Sequence, residues 1–231
     1  MKSTLLRSLV VLAVSTIAFG AQAASYNTNL IVNGDAESGV TGWTPLDEFN
    51  PLFMAVEYGN NWVQPSEPGP AAADRGAMMF AGTSGFGYSA GYQILDLSAN
   101  AAAIATGNQG FQLAGWLGGW TNQGDNAMLL VSFLDTNGTE LDVAQLGPVL
   151  PADRNDKTGL YYRASSGFLP TATTQVMFKL DMERLVSNDN DGYADNLSFV
   201  LTPVPEPETY ALMLAGLGLV GFAARRSRAA R

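Results

Sequence analysis

Between residues 24 and 202 the chain reads as short runs of alternating apolar and polar positions, broken at close intervals by Gly, Asn, Asp, Ser and Pro. This is the pattern of half-buried β-strands joined by turns. In Gln175 to Glu183, Val176, Phe178, Leu180 and Met182 alternate with Gln175, Met177, Lys179, Asp181 and Glu183, predicting one core face and one largely wet face. Ala127 to Leu134 is apolar at almost every position, which predicts a central strand whose second face is covered by a loop or a partner. Asp135-Thr136-Asn137-Gly138-Thr139 follows and supplies an Asn-Gly reversal into a strand at Glu140 to Leu146. Further strands are expected at Asn29 to Asn33, Phe53 to Tyr58, Ala77 to Ala81, Ser89 to Leu97, Phe111 to Leu117, Leu160 to Gly167 and Asn196 to Thr202. The Ala-rich stretch from Ser98 to Ala105 can form a turn or two of helix, and Pro65 to Ala73 reads as a stiff surface loop. With no sustained helical period inside this region, the expected class is all-β: a single antiparallel β-sandwich.

The two ends break the pattern. Lys2 and Arg7 precede the apolar run LVVLAVSTIAF and an Ala21-Gln22-Ala23 cleavage site, so residues 1–23 read as a signal peptide. At the other end stand Pro205-Glu206-Pro207, an apolar run from Tyr210 to Ala224, and Arg225, Arg226, Arg228 and Arg231. That run is 15 residues long, below the roughly 18 to 20 of an independent membrane span, so it predicts a short, marginal transmembrane segment. The arginines would keep its C-terminal end cytoplasmic and leave the rest of the chain outside. These residues resemble the PEP-CTERM sorting signal of Gram-negative bacteria. The resemblance implies an exosortase as partner, transient anchoring in the inner membrane, cleavage near the motif, and delivery to the cell surface or the exopolysaccharide matrix. Three segments follow: 1–23, a β domain at 24–202, and a sorting tail at 203–231.

Composition narrows the chemistry. The whole chain has 12 Lys and Arg against 21 Asp and Glu; without Lys2, Arg7, the four tail arginines, Glu206 and Glu208 the balance is 6 against 19, or −13. So acidic a domain is a poor partner for nucleic acid, which is bound by neutralising phosphates, and divalent cations are its more natural ionic partners. There is no histidine and no cysteine. Ser-His-Asp and Cys-His nucleophiles, and zinc sites built from imidazole or thiolate, cannot be assembled within this chain, nor can disulfides.

Carboxylate chemistry is what remains. Asp189-Asn190-Asp191-Gly192-Tyr193-Ala194-Asp195-Asn196 places alternate carboxylates before a Gly with another following, the oxygen-rich turn that suits Ca2+ as readily as it suits plain solvation. Asp195 has the parity of Leu197, Phe199 and Leu201 and is therefore expected to point inward, where it needs a cation or several donors. NLIVNGDAESGVTGW at the start of the domain and NDGYADNLSFVL at its end resemble the two ends of galactose-binding-like jelly-roll modules, a superfamily that includes many carbohydrate-binding modules. The resemblance implies a jelly roll with a structural calcium held by Glu37 and Asp195. Asp35 occupies a position usually apolar or small; Asp189 and Asp191 are possible extra ligands from their spacing alone. GWLGGWTNQGDNAMLLVSFLDTNG also looks like a segment of such secreted modules. Within it Trp120, Gln123 and Asp125, beside Trp116, join flat apolar surface to hydrogen-bonding groups, as a sugar site requires. The alternative is that Trp116 is core and Trp120 packs on a loop. Trp43 and Trp62 read as structural, and Tyr161 and Tyr162 must face opposite ways.

The expected function is an exported, non-catalytic module that binds or organises extracellular polysaccharide. The alternatives are a purely structural matrix protein and, with two suitably spaced acids, a glycan-active enzyme.

Overall fold

The computed structural model describes residues 23–203 and, beyond them, only Leu217. Residues 1–22 of the expected signal peptide, and the Pro205-Glu206-Pro207 motif with its arginines and all of the apolar run but Leu217, lie outside the described residues. Among those residues no helix is long and apolar enough to cross a membrane.

Among the described residues ten strands form: β1 Thr44–Pro45, β2 Met54–Glu57, β3 Met78–Ala81, β4 Tyr88–Asp96, β5 Gly110–Gly119, β6 Asn126–Leu134, β7 Glu140–Leu146, β8 Gly159–Phe168, β9 Gln175–Glu183 and β10 Tyr193–Leu201. They make two five-stranded sheets, β1-β4-β9-β6-β7 and β2-β3-β10-β5-β8, with every neighbouring pair antiparallel. The architecture is a jelly-roll β-sandwich. A 3-10 turn at Ser98–Asn100 runs into a short helix, α1 Ala101–Ile104, where the Ala-rich stretch predicted one. The Asn-Gly reversal is also present: Gly138 has φ +77°, and Asp135 Oδ1 accepts from the amides of Asn137 and Thr139 at 2.8 and 2.9 Å.

Alternation builds the core. Val176, Phe178, Leu180 and Met182 of β9 and Ala127, Leu129, Val131 and Phe133 of β6 face Phe111, Leu113 and Leu117 of β5 and Leu197, Phe199 and Leu201 of β10. Phe199 sits at the crossing point, with its ring centroid 5.4 Å from Phe111 and 5.1 Å from Phe178. Trp43 joins this core edge-on to Phe53 and Phe80.

Two expectations are corrected. Asn29 to Asn33 is not a strand but a succession of turns, with Asn33 at φ +49°. Its groups bond the last strand one at a time: Asn29 Nδ2 donates to Leu197 O at 2.9 Å, and Asn29 Oδ1 accepts from Phe199 N at 3.0 Å. The second correction concerns Asp195. The register of β10 on β5 slips between Asp195 and Ser198, and Asn196 there has φ +49°. One extra residue reverses the alternation. Ala194 therefore shares the core with Leu197, while Asp195 lies opposite Trp116 on the outer face of the second sheet.

The core predicts its own weakest point. Phe199→Ala, which removes the ring shared by three others, should cost about 3 to 5 kcal/mol of unfolding free energy in urea titration; a loss below about 1 kcal/mol would show that the ring is not packed as described.

Candidate functional site

Asp195 is fully buried. Its Oδ2 accepts from Tyr58 Oη at 2.5 Å, and its Oδ1 from the Asn196 amide at 2.7 Å. Burial raises its pKa to about 7, and the negative charges of Asp35 and Glu37 add to the rise against these two hydrogen bonds. Glu37 reaches across to the start of β3, its Oε1 accepting from the amides of Ala77 and Met78 at 2.8 Å each. Gly76, at φ +66°, makes that approach possible: a Cβ there would fall 2.2 Å from Glu37 Oε1. Beside them a polar cleft of about 320 Å3 is lined by Asn29, Asn33, Asp35, Asn196 and Ser198 among others. Among the described residues no three acidic side chains converge closely enough to hold a metal unaided. The donor set is nonetheless all oxygen, and a cation would relieve the buried Asp195 carboxylate. The residues fit a hard cation if backbone or amide oxygens complete the shell.

Asp189 and Asp191 do not join this group. Asp189 is exposed. Asp191 is buried, accepts from Tyr193 Oη at 2.6 Å and donates its amide to Asp125 Oδ2 at 3.2 Å. Burial raises the Asp191 pKa, with Asp125 and Asp189 as its acidic neighbours. The Asp-Asn-Asp turn is thus a separate knot at the start of β10.

Asp125 belongs to that knot and not to a ligand surface. It is completely buried, and its Oδ1 holds the amides of Leu185 and Val186 at 2.7 and 2.8 Å. Gln123 is pinned by its carbonyl, which accepts from the fully buried guanidinium of Arg154, as does that of Thr121. Trp120 is half-buried. With Trp62, Trp116, Tyr58 and Val56 it packs on a second apolar cluster of Val63, Met79, Ala81, Leu160 and Tyr193 on the outer face of the second sheet. The segment from Gly59 to Gly76 covers this part of the face: Pro68 O accepts from Leu160 N at 2.8 Å, and Trp62 meets Tyr193 edge-on at 6.0 Å. Trp120, Gln123 and Asp125 are therefore not brought together as an open sugar platform. Trp116 is also outside the main core, on the opposite side of its sheet.

The outer face of the first sheet is different. Register brings Tyr92, Lys179, Leu130 and Gln145 into one row across four strands, and Ile94, Met177, Ser132 and Val143 into the next. Ile94 of β4 is 56% exposed and Val143 of β7 45%, while on β6 between them Leu130 is half-buried and Ser132 buried. Embedded in this surface is a polar group: Lys179 Nζ lies 2.8 Å from Asp181 Oδ2, which also accepts from Tyr88 Oη at 3.1 Å. These contacts raise the Lys179 pKa against its burial. Ser132 Oγ, on the same face, is buried without a hydrogen-bond partner. The sequence held the signal for this face in the wet positions of Gln175 to Glu183, but it became a surface only once β4 was paired beside β9.

Residues 203–228 match the PEP-CTERM protein-sorting motif. The chain carries an exosortase sorting signal. This marks it for export and sorting in Gram-negative bacteria. No curated protein is matched by the sequence. Among solved structures, a family 16 carbohydrate-binding module is similar at 24% identity and TM-score 0.47, covering 74% of this chain and 99% of that one. The enzymatically active domain of bacteriophage CBA120 tailspike protein 4 is similar at 14% identity and TM-score 0.50, covering 75% of this chain and 21% of that one. TmCBM61, solved with β-1,4-galactotriose, is similar at 15% identity and TM-score 0.44, covering 77% and 99%. What the tailspike domain shares with the sorted chain is a fold.

The buried acid yields a pH test. Because Asp195 holds its proton more tightly folded than unfolded, its contribution is fully present below pH 4 and is lost as pH rises towards and through about 7. In chelator, stability should therefore fall between pH 5 and 7 by up to about 1.4 kcal/mol per pH unit. Asp195→Asn should flatten that slope, as read from melting curves; an unchanged slope would assign the titration elsewhere.

Proposed function

We propose that the exported domain is a non-catalytic module that binds or organises extracellular polysaccharide at the cell surface or in the matrix, using the outer face of the first sheet. The observation that carries this reading is the open surface around Tyr88 and Tyr92. Apolar side chains there offer contact to the C–H faces of sugars, and the Lys179–Asp181–Tyr88 group with Gln145 offers hydrogen bonds. Lys179 and Asp181 offset each other, so the surface suits neutral sugars better than uronic acids or sulfated glycans. The sorting signal supports the location.

In this reading a calcium ion is structural. Glu37 and Asp195 hold it with oxygens of the adjoining polar cleft, tying the N-terminal turn to β3 and β10. It supplies charge compensation and takes no part in a reaction.

Each half has its own test. In glycan-array binding of residues 24–203, Tyr92→Ala should weaken binding to a selected neutral glycan about tenfold, while Tyr162→Ala on the other sheet leaves it unchanged. Clean absence of selective binding by the unmutated domain would move the assignment to a structural matrix protein. For the ion, calcium at a hundredfold its dissociation constant should raise the melting temperature by about 5 to 10 °C over chelator, and Asp195→Ala should abolish the difference. Identical melting of the unmutated domain with calcium and with chelator would refute the site.

A further inference from the structure

The pole of the sandwich from which the sorting tail leaves is also the pole at which the domain begins. Thr202 N donates to Gly110 O at 3.0 Å, Asn27 N to Leu201 O at 3.0 Å, and Ala24 N to Asn100 Oδ1 at 2.9 Å. The last strand is thus held firmly up to Thr202, and Pro205 of the motif is the third residue after it. Three residues span at most about 10 Å. A protein that grips Pro205-Glu206-Pro207 must therefore press against the folded domain at this pole.

The surface it would meet is unusual for so acidic a domain. Residues 24–34, 97–124, 164–178 and 196–205 contain no Asp, Glu, Lys or Arg. Those stretches supply the second-sheet side of the pole, including the ends of β8 and β10 and the start of β5. Of the charged residues at the strand ends of the first sheet, Asp96 closes β4, Glu140 opens β7 and Asp135 directly follows β6. At the exit point Phe168 is 67% exposed and Tyr26 37%. Between Phe168 and Thr202, over Gly110 and Gln112, a shallow pocket of about 280 Å3 opens. Its floor is low because Gly110 lies opposite Phe168 in the pairing of β5 with β8.

We propose that this uncharged pole, centred on Phe168 and the pocket beside Thr202, is a docking surface for the membrane-bound exosortase that reads the sorting motif. The assignment rests on the sorting signal and is independent of sugar binding. Short reach makes the contact obligatory, and the missing acids remove the repulsion and desolvation cost that the rest of this domain would impose on a close partner. The exposed ring and the pocket provide the apolar contact.

The test follows processing of the full-length chain by pulse-chase in cells that hold the exosortase. Phe168→Glu should slow conversion of precursor to the shortened form about fivefold or more, because it sets a charge in the contact. The same substitution should have no effect once a ten-residue Gly/Ser spacer, about 15 to 20 Å in typical reach, is inserted after Pro203. Equal processing of Phe168→Glu and the unmutated chain would overturn the proposal. So would an equal slowing with and without the spacer, which would mean impaired folding or export. If the substitution instead weakens retention of the precursor on vesicles of anionic phospholipid lacking the enzyme, the occupant is the bilayer and the assignment to the exosortase is wrong. An unmutated chain that is never shortened would remove the sorting reading, and the pole assignment with it.

Discussion

The extra residue that Asn196 inserts into β10 governs more of this molecule than any other local feature. Without it, Asp195 and Leu197 would share one face, so that either the acid would enter the sandwich core or the leucine would leave it. With it, β10 releases β5 for one step, and the freed Leu197 amide donates to Gly34 O at 2.9 Å. A Cβ on Gly34 would lie 2.1 Å from Leu197 O, so the two chains touch backbone to backbone. The N-terminal turn is held in place by this contact and by Asn29. That in turn brings Glu37 to the start of β3, within the electrostatic field of Asp195. The candidate cation site is a consequence of one shifted register.

The same register divides the labour between the two outer faces. Ahead of the bulge, Tyr193 faces the covering segment from Gly59 to Gly76 and Asp195 bonds Tyr58 just before it, while Trp116 and Trp120 pack on the same cluster as Trp62. The second sheet spends its tryptophans on architecture. The first sheet has no such cover over Ile94 and Val143, and its polar groups form a bonded set at the middle of the surface. An open face with ordered polar groups is what a recognition surface requires, whereas a tryptophan under a loop is not available to a ligand.

Much of the fold was legible in the alternation of residues such as Val176, Phe178, Leu180 and Met182, because a strand with one wet face announces its period. The Asn137-Gly138 hairpin was legible for a similar reason: the turn demands those residues. The bulge was not, since Asn196 is an ordinary strand-edge residue until the pairing with β5 shows the skipped step. Nor was the fate of Asp125. Three backbone amides 60 or more positions away consume its carboxylate, and nothing local in Gln123-Gly124-Asp125 announces them. Asp189 and Asp191 do not gather beside Asp195, because closeness along a turn says little about the direction in which side chains leave it. The sorting motif, by contrast, was readable outright, being a linear signal that needs no fold.

The recognition surface on the first sheet is the central claim, and it is tested most directly by amide and methyl chemical-shift mapping while purified exopolysaccharide is titrated into the labelled domain. The account predicts saturable shifts clustered at Tyr92, Ile94, Leu130, Met177 and Lys179, with Trp116, Trp120 and Tyr162 unmoved. Shifts confined to the second sheet, or none at saturating polysaccharide, would contradict it.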